Sequence, residues 1–445
     1  MREVPQDLIL QPPTEVLDVV VIGTGNAGEL GLGAGTNVTT HPELIPKLDV
    51  DKPFAFKAVQ VACGRRHAIA LTNDFGIVTW GANEDGALGR STGCATNTEF
   101  NTAGQPNDLY QPHDVPDIVS RANFPPGTQF KQVAAGHAFS LALTHDGQVY
   151  GWGTFMDLQG NKAFGFDDWG FIIQRQLTPA LIRGLVGVKI TQIACGANHA
   201  LALDDDYRVW TWGNNENCQL GRRIFDWRHM DIFIPRRIHR VRYAWRIASG
   251  DNHSFALDIR GNVWTWGLND YSQTGLGAAA GSVVKEPTPI RWLKNRGVVV
   301  IDGGAHHSAA VTATGQCFAW GRLQGGRLGI GLTPEQVGEN DEEEPVALDQ
   351  RGAVLLRPMQ ANNIGPAAWV ACGTDHTVYV KTDGGVVAAG SNSHGQVGRL
   401  RSGPEVSFAR PIEDGAVQGR KLWWAGAGEQ FSMVAGFAQQ PGSLF

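Results

Sequence analysis

Short apolar runs of five or six residues recur along the chain in pairs, and a tight turn separates the two runs of each pair. The first pair occupies 62–71 and 78–81, and the second occupies 134–143 and 150–153. Apolar residues in these runs alternate or follow one another directly, which is typical of half-buried and buried β-strands. Turns such as T-N-D-F-G at 72–76 favour hairpins. The pattern therefore predicts an all-β protein.

The hairpin unit is an internal repeat with a rigid interior and variable connections. Two glycines in each of six copies are always 17 residues apart, whereas successive copies start 54 to 72 residues apart. The glycine pairs are Gly64/Gly81, Gly136/Gly153, Gly196/Gly213, Gly250/Gly267, Gly304/Gly321 and Gly373/Gly390. A constant unit joined by connections of varying length is typical of a strand–turn–strand module with loop insertions.

Each end of the chain carries half of a unit, and the two halves complement each other. Residues 19–31 match only the second half of the repeat, and residues 427–434 match only the first half. Pairing them would complete a seventh blade and remove the free sheet edges of an open array. The sequence thus predicts a seven-bladed β-propeller over 19–436, whose last blade is closed by pairing of N- and C-terminal strands. Residues 1–18 would form an N-terminal extension and residues 437–445 a C-terminal tail.

Composition narrows the classes of function. The 57 glycines and 14 tryptophans suit short strands joined by tight turns, and the net charge of −6 gives no whole-molecule reason to expect nucleic-acid binding. The six cysteines form no C-x-x-C pair, so we expect no metal site. The first residues show no basic region before an apolar stretch, and no apolar run approaches 18 residues. These features favour an intracellular location without membrane contact.

One motif is similar to a cofactor loop. V-V-V-I-G-T-G-N-A-G at 19–28 contains G-x-G-x-x-G after a predicted strand. Nucleotide binding through this motif needs a helix next, because the helix N-terminus holds the pyrophosphate. Instead E-L-G-L-G-A-G follows at 29–35, as in the glycine loops of other blades. We therefore interpret the motif as a blade loop, and we expect no cofactor and no enzyme chemistry.

Histidines and tryptophans recur at fixed repeat positions. The histidines are His67, His199, His253, His307 and His376, and Phe139 and Phe431 replace them in the other two blades. A position that accepts either residue predicts packing, with the imidazole hydrogen-bonded to backbone. The recurrent tryptophans predict packing between blades, and they are Trp80, Trp152, Trp212, Trp266 and Trp320.

The repeat resembles that of the regulator of chromosome condensation family, from about Val19 to Gly436. Further stretches are similar to the branch of this family that exchanges guanine nucleotide on the small GTPase Ran, especially its fungal forms. These stretches are W-G-T-F-M-D-L-Q-G at 152–160, N-N-E-N-C-Q-L-G-R at 214–222, A-S-G-D-N-H-S-F-A-L at 248–257, W-G-L-N-D-Y-S-Q-T-G at 266–275, G-G-A-H-H-S at 303–308 and G-E-Q-F-S at 428–432. The resemblance implies an exchange factor that makes and breaks no covalent bond.

The resemblance also implies which residues contact the GTPase. Histidine at the position of His306 contacts Ran in the resembled proteins, and alternation turns His306 away from the repeat histidine His307. Arg222 matches another arginine that faces Ran. The GTPase-contact candidates are His306, Asn198, Arg222, His137, Met156 and Asp157. The family commonly has an acid at Asn198 and His137 and an arginine at Met156, so this chain departs from the pattern.

Arginines gather between the fourth and fifth blades, at 222, 223, 228, 236, 237, 240, 242 and 246. A solvated face and an anionic partner, either DNA phosphate or an acidic protein surface, both fit this cluster. In the resembled proteins a loop that begins here inserts at the nucleosome. Arg222, Arg223 and Arg228 are therefore the chromatin-contact candidates. The acidic run at 339–344 is interpreted as a solvated loop.

The favoured function is guanine-nucleotide exchange on a Ran-type GTPase at chromatin, with the insertion after Gly153 as a wedge. The alternative is a protein-interaction scaffold without exchange activity, which the lost charges at Asn198, Met156 and His137 favour. The expected partners are the GTPase and, left open, nucleosome or DNA, with no membrane and no small-molecule cofactor. We expect a nuclear location, with the cytoplasm left open because the family's basic N-terminal tail is missing.

Overall fold

The computed structural model describes residues 15–33, 35–91, 113–157, 159–224, 226–332, 348–349, 351–398, 403–413 and 415–437. Within these ranges, seven four-stranded antiparallel sheets follow one another around a ring. The predicted all-β, seven-bladed propeller is therefore confirmed. We number the blades along the chain and call the strands of each blade a to d, from the central channel outwards.

The strands of each blade are as follows. Blade 1 has a Leu422–Ala427, b Phe431–Phe437, c Leu17–Thr24 and d Val38–Leu44. Blade 2 has Ala58–Cys63, His67–Thr72, Ile77–Gly81 and His113–Ile118, and blade 3 has Phe130–Ala135, Phe139–Thr144, Val149–Gly153 and Gln176–Leu181. Blade 4 has Ile190–Cys195, His199–Asp204, Val209–Gly213 and Arg236–Arg237, and blade 5 has Ala244–Ser249, His253–Asp258, Val263–Leu268 and Val283–Pro289. Blade 6 has Val298–Gly303, His307–Thr312, Cys317–Arg322 and Val354–Gln360, and blade 7 has Ala367–Cys372, His376–Lys381, Val386–Ser391 and Glu405–Pro411.

Two small hairpins and several short 3-10 helices lie in the connections. The hairpins pair Phe155–Met156 with Lys162–Ala163 and Gly165–Phe166 with Ile172–Ile173. The 3-10 helices are Pro46–Leu48, Glu84–Gly86, Arg121–Asn123, Arg183–Leu185, Asp226–Phe233, Ala278–Ala280, Arg291–Leu293 and Gly415–Val417. None of the helices in the described ranges is long and apolar enough to cross a membrane.

Blade 1 closes the ring as the complementary half-units predict. The strand Leu17–Thr24 pairs with Phe431–Phe437 in unbroken register, from Leu17 opposite Phe437 to Gly23 opposite Phe431. The strand Leu17–Thr24 is buried along its whole length. The motif at 19–28 is therefore a central blade strand and its loop, and the next regular element is the strand Val38–Leu44 rather than a helix.

Backbone hydrogen bonds join the seven blades around the mouth of the channel. In every a–b turn, the residue after the repeat glycine donates its N–H to a carbonyl oxygen of the next blade, with N···O distances of 2.8 to 3.4 Å. The seven donors are Arg65, His137, Ala197, Asp251, Ala305, Thr374 and Glu429. The circle is complete, because Glu429 of blade 1 donates to Arg65 of blade 2 at 3.1 Å.

The repeat histidines form a second set of inter-blade bonds. The Nε2 atom of His253 lies 2.8 Å from the Ser308 hydroxyl of blade 6, and Ser308 donates to the Gln273 carbonyl oxygen at 2.7 Å. Trp320 donates its Nε1–H to the same carbonyl at 2.8 Å, which confirms the predicted packing between blades. The other histidine pairs are His67–Ser140, His199–Ser254, His307–Thr377 and His376–Ser432. The prediction that these imidazoles bond to backbone is therefore wrong for Nε2, whose partner is a hydroxyl one blade away.

Where phenylalanine replaces the histidine, the hydroxyl partner is also replaced. Ala200 follows the start of strand b in blade 4, opposite Phe139, and Ala68 occupies the same position in blade 2, opposite Phe431. Phe139, Phe431, Ala68 and Ala200 are all essentially inaccessible to solvent. The polar pair is thus exchanged as a unit for an apolar pair, which avoids leaving a buried hydroxyl without its partner.

Candidate functional site

Two faces of the ring differ in the loops that form them. The upper face consists of the a–b turns and c–d loops, and the lower face consists of the b–c turns and the connections from strand d to the next strand a. All six GTPase-contact candidates lie on the upper face. His137, Asn198 and His306 are in a–b turns, whereas Met156, Asp157 and Arg222 are in c–d loops.

The insertion after Gly153 is a c–d loop of the upper face, and it contains the two hairpins. Its base is fixed by aromatic packing: the Phe155 ring centroid lies 4.5 Å from that of Phe139, 5.8 Å from Phe164 and 6.3 Å from Phe233. Phe155 is fully buried. The substitution of Phe139 for the repeat histidine therefore provides the apolar surface on which the insertion rests.

Two asparagines of blade 4 hold the first hairpin by its backbone. The Oδ1 atom of Asn198 accepts a hydrogen bond from the N–H of Met156 at 2.9 Å, and Nδ2 of Asn214 donates to the Met156 carbonyl at 2.9 Å. At the turn of the hairpin, the Asp157 carboxylate accepts bonds from the backbone and side-chain N–H groups of Asn161, both at 2.7 Å. Asn198 therefore positions the insertion, and Asp157 shapes its tip.

Ion pairs hold the insertion on its other flank. Asp85, in the c–d loop of blade 2, lies 2.5 Å from Lys162 and 2.7 Å from Arg175. The Asp85 carboxylate is buried, so these charge-assisted bonds are stronger than exposed ones. Blades 2 and 4 thus clamp the insertion of blade 3 between them.

His306 and His307 of blade 6 face different neighbouring blades, as predicted. His307 bonds to blade 7, whereas the His306 ring lies 4.7 Å from that of Tyr271 in the c–d loop of blade 5. The Arg322 guanidinium lies 5.0 Å from the Tyr271 ring. Burial, together with the charges of Arg327 and Arg322, lowers the pKa of His306, so its imidazole is neutral at pH 7.

His137 stands at the channel mouth among charged neighbours. Burial is the largest cause that lowers the pKa of His137 to about 4, and the nearby charge of Arg65 lowers it further. Arg65 forms a 2.6 Å ion pair with Glu429, and Arg66 lies 3.6 Å from the buried carboxylate of Glu29. These side chains and His137 line a cavity of about 360 Å³ between blades 1, 2 and 3.

The three chromatin-contact candidates have different environments. The half-buried Arg222 donates to the carbonyl oxygens of Asp231 and Ile234 at 3.1 and 3.3 Å, so it fixes the loop that contains Asp226–Phe233. Burial is the main reason that the pKa of Arg222 falls to about 10. Arg223 is exposed beside it. The Arg228 side chain lies outside the part of the chain whose side chains the structure describes, as does the acidic run at 339–344.

Several residues that shape the upper face were not predicted. Asp85, Asn214 and Tyr271 lie in c–d loops, and each acts on a neighbouring blade. A general rule would have found part of this arrangement: the residue before the repeat histidine reaches back to the c–d loop of the preceding blade. Arg66 with Glu29 and Asn198 with Met156 both follow it.

Comparison with known proteins identifies the family. A family model described as an RCC1-like domain matches residues 18–434. Protein Pim1 of Schizosaccharomyces pombe is 33% identical over 432 residues, which cover 95% of this chain and 75% of Pim1. The guanine nucleotide exchange factor SRM1 of Saccharomyces cerevisiae is 30% identical over 433 residues, which cover 94% of this chain and 87% of SRM1.

The fold agrees with that of a solved relative over its full length. The crystal structure of Prp20p from Saccharomyces cerevisiae has a TM-score of 0.85 and 30% sequence identity, and the match covers 99% of this chain and 96% of Prp20p. Because the family model spans almost the whole propeller and these relatives share it, the chain belongs to the RCC1-like domain family.

Proposed function

We propose that the chain is a guanine-nucleotide exchange factor for a Ran-type small GTPase. The observation that carries the proposal is the clamped insertion of blade 3, which the upper face holds at its base and on both flanks. SRM1 is named as a guanine nucleotide exchange factor, and Prp20p was studied for its binding to Gsp1p and histones. These relatives support a GTPase as the partner of this face.

A rigid wedge suits the physics of exchange. An exchange factor accelerates nucleotide loss by binding the nucleotide-free GTPase more tightly than the loaded form, so it must supply contacts that compete with the phosphates and magnesium. A segment that is already ordered loses little conformational entropy when it binds, and more of its interaction energy remains for this competition. The bonds of Asn198 and Asn214 to Met156 and the ion pairs of Asp85 provide that order.

We assign the other upper-face candidates to contacts that hold the GTPase around the wedge. His306 lies beside Tyr271 and Arg322, and His137 lies beside Arg65 and Glu429. Both histidines are neutral near pH 7, so we expect them to contribute hydrogen bonds rather than charge. His306, His137, Asn198, Met156, Asp157 and Arg222 remain the proposed contact set.

A nuclear location at chromatin is the finer part of the proposal. Histone binding by Prp20p supports it. We propose that the exposed Arg223, with Arg228, contributes to chromatin contact, and that Arg222 supports this contact by holding the loop that contains Asp226–Phe233. The alternative is a scaffold without exchange activity, which the lost charges at Asn198, Met156 and His137 favour. The GDP release assay distinguishes the two functions.

Release of fluorescent GDP from a Ran-type GTPase tests the proposal through Asn198. Asn198→Asp keeps an oxygen acceptor for the Met156 N–H and adds a charge that a cation of the GTPase could pair with, so exchange should be kept or increased. Asn198→Leu removes the acceptor and should slow release at least about tenfold, because the wedge loses a hydrogen bond worth about 1 kcal/mol as well as its order. Equal rates for both variants and the wild type would show that the wedge is not the active element.

A further inference from the structure

The lower face of blade 5 carries a basic and aromatic surface that the proposed function does not use. Three segments form it: the connection 238–243, the b–c turn 259–262 and the connection 290–297. We call these segments the blade 5 track. They lie on the face opposite the insertion of blade 3, since b–c turns and d–a connections end at the other edge of every sheet.

The track concentrates positive charge in a chain whose net charge is −6. Its six cationic side chains are all exposed, and they are Arg240, Arg242, Arg260, Arg291, Lys294 and Arg296. Among the residues that the structure describes, only Arg240 of this set has a carboxylate within 4 Å, that of Glu286 at 2.5 Å. The remaining five side chains are exposed, and two of them lie over aromatic rings: Arg260 over Tyr243 and Arg296 over Phe318. Exposed cations of this kind can pair with an anionic partner.

Exposed aromatic rings lie among these charges. Tyr243 is 43% exposed and Trp292 is 47% exposed, and Tyr207 in the neighbouring b–c turn of blade 4 is 42% exposed. The Arg260 guanidinium lies 5.6 Å from the Tyr243 ring, and that of Arg357 lies 4.0 Å from the Trp292 ring. Basic groups interleaved with accessible rings are the features that bind single-stranded nucleic acids, in which bases stack on aromatic side chains.

Backbone contacts make the track continuous. Ile259 of the turn donates its N–H to the Tyr243 carbonyl at 3.1 Å, and Asn295 donates to the Gly261 carbonyl at 2.9 Å. Ala244, next to Tyr243, donates to the Tyr207 carbonyl at 3.1 Å. The rings and cations therefore belong to one surface that extends from blade 4 across blade 5 to blade 6.

Two of the three rings sit on unfavourable backbone. Tyr207 has φ of 62° and Tyr243 has φ of 60°, in the left-handed region that favours glycine. The position of Tyr207 is glycine in four other b–c turns, at Gly147, Gly261, Gly315 and Gly384. Phe75 has the same backbone at the equivalent turn of blade 2, but its ring packs against that of His145, whereas Tyr207 and Tyr243 are exposed. Packing does not account for these two tyrosines, and backbone strain without such an explanation points to a function.

We propose that the blade 5 track binds single-stranded nucleic acid, with its cations on the phosphates and its rings stacked on bases. The aromatic rings favour a single strand, because its base faces are free to stack on them. In a duplex the base faces are hidden, so only the cations of the track would make contacts. This site is independent of the proposed exchange site on the upper face.

Fluorescence anisotropy with labelled 15-residue oligo-U, oligo-dT and a DNA duplex of equal length tests this inference. We expect both single strands to bind more tightly than the duplex. Tyr243→Asn with Trp292→Ala should weaken single-strand binding about tenfold or more. Arg242→Ala with Arg291→Ala should weaken it too and reduce the slope of log affinity against log salt by about 1.4, since two phosphate contacts are lost.

Matched controls are available on the same face. Phe75→Asn changes the equivalent left-handed turn position of blade 2, and Lys52→Ala with Lys57→Ala removes two exposed charges near blade 1. Both controls should leave the affinity unchanged. All variants should keep the wild-type melting temperature and the wild-type GDP release rate. The two tyrosine and phenylalanine positions are changed to asparagine because this residue tolerates left-handed backbone. Absence of binding at low salt would overturn the proposal. Duplex binding as tight as single-strand binding, with no effect of the Tyr243→Asn and Trp292→Ala changes, would also overturn it.

Discussion

Exchange of one histidine–serine pair for its apolar counterpart tests how the blades are held together. We choose His253 and Ser308, because the Gln273 carbonyl accepts hydrogen bonds from both Ser308 and Trp320. The carbonyl therefore keeps one donor when Ser308 is replaced. His253→Phe with Ser308→Ala reproduces the interface between blades 1 and 2, where Phe431 faces a buried alanine. Gly303 has no side chain to obstruct the ring at position 253, since a Cβ there would lie 2.5 Å from Nε2 of His253.

The expected costs differ between variants. His253→Ala removes a hydrogen bond worth about 1 kcal/mol and leaves a ring-sized cavity, so unfolding should become easier by about 3 kcal/mol in total. The Phe/Ala double variant replaces both partners and should stay within about 1 kcal/mol of the wild type. Urea unfolding followed by tryptophan fluorescence measures both values. A double variant as unstable as His253→Ala would refute the view that the pairs are interchangeable units.

The same pair predicts a dependence on pH. Burial lowers the pKa of His253 to about 3, whereas the unfolded chain has an ordinary histidine pKa near 6.5. The unfolded state therefore binds the proton first, and the stability contributed by the neutral imidazole is present above pH 6.5 and is lost as the pH falls towards 3. Between pH 6.5 and 5 the wild type should lose about 2 kcal/mol more than the Phe/Ala variant. An identical loss in both proteins would contradict the burial of a neutral imidazole.

Three further changes test other parts of the account. Deletion of 421–445 removes two of the four strands of blade 1, so we expect loss of cooperative thermal unfolding or aggregation, and a wild-type melting curve would contradict ring closure. His306→Ala should slow GDP release and leave the melting temperature unchanged, whereas His307→Ala should lower that temperature; the reverse outcome would exchange their roles. Arg223→Ala should weaken nucleosome binding and flatten its salt dependence, whereas Arg222→Ala should also loosen its loop; unchanged affinity at low salt would make Arg223 a plain solvated residue.

Most of the fold could be predicted from the sequence because the repeat is periodic. A fixed spacing between glycines reflects strands of fixed length, and the half-units at the two ends match only if Leu17–Thr24 pairs with Phe431–Phe437. The partner of each repeat histidine was harder to predict, since it lies 55 to 73 residues away across a blade interface. One signal of the histidine–hydroxyl pairing was nevertheless visible in the sequence: where Phe139 replaces the histidine, Ala200 replaces the hydroxyl residue in the next blade.

The upper face was predictable in position but not in detail. The prediction that His306 faces away from His307 is confirmed, although His306 lies in the a–b turn, one residue before the strand. The insertion lies outside the repeat, so nothing periodic could predict its two hairpins or the clamp by Asn214 and Asp85. Arg222 shows the same limit: its guanidinium bonds to carbonyls of its own loop, and those partners depend on a local turn that has no counterpart in other blades.

Release of fluorescent GDP from a purified Ran-type GTPase by substoichiometric amounts of this protein tests the central claim most directly. An exchange factor turns over, so one molecule should discharge many GTPase molecules in the presence of excess unlabelled GDP, and the rate should rise with its concentration. A scaffold that only binds would leave release at the intrinsic rate. If neither the wild type nor Asn198→Asp accelerates release at micromolar concentration, the exchange function is wrong and the propeller is a binding scaffold.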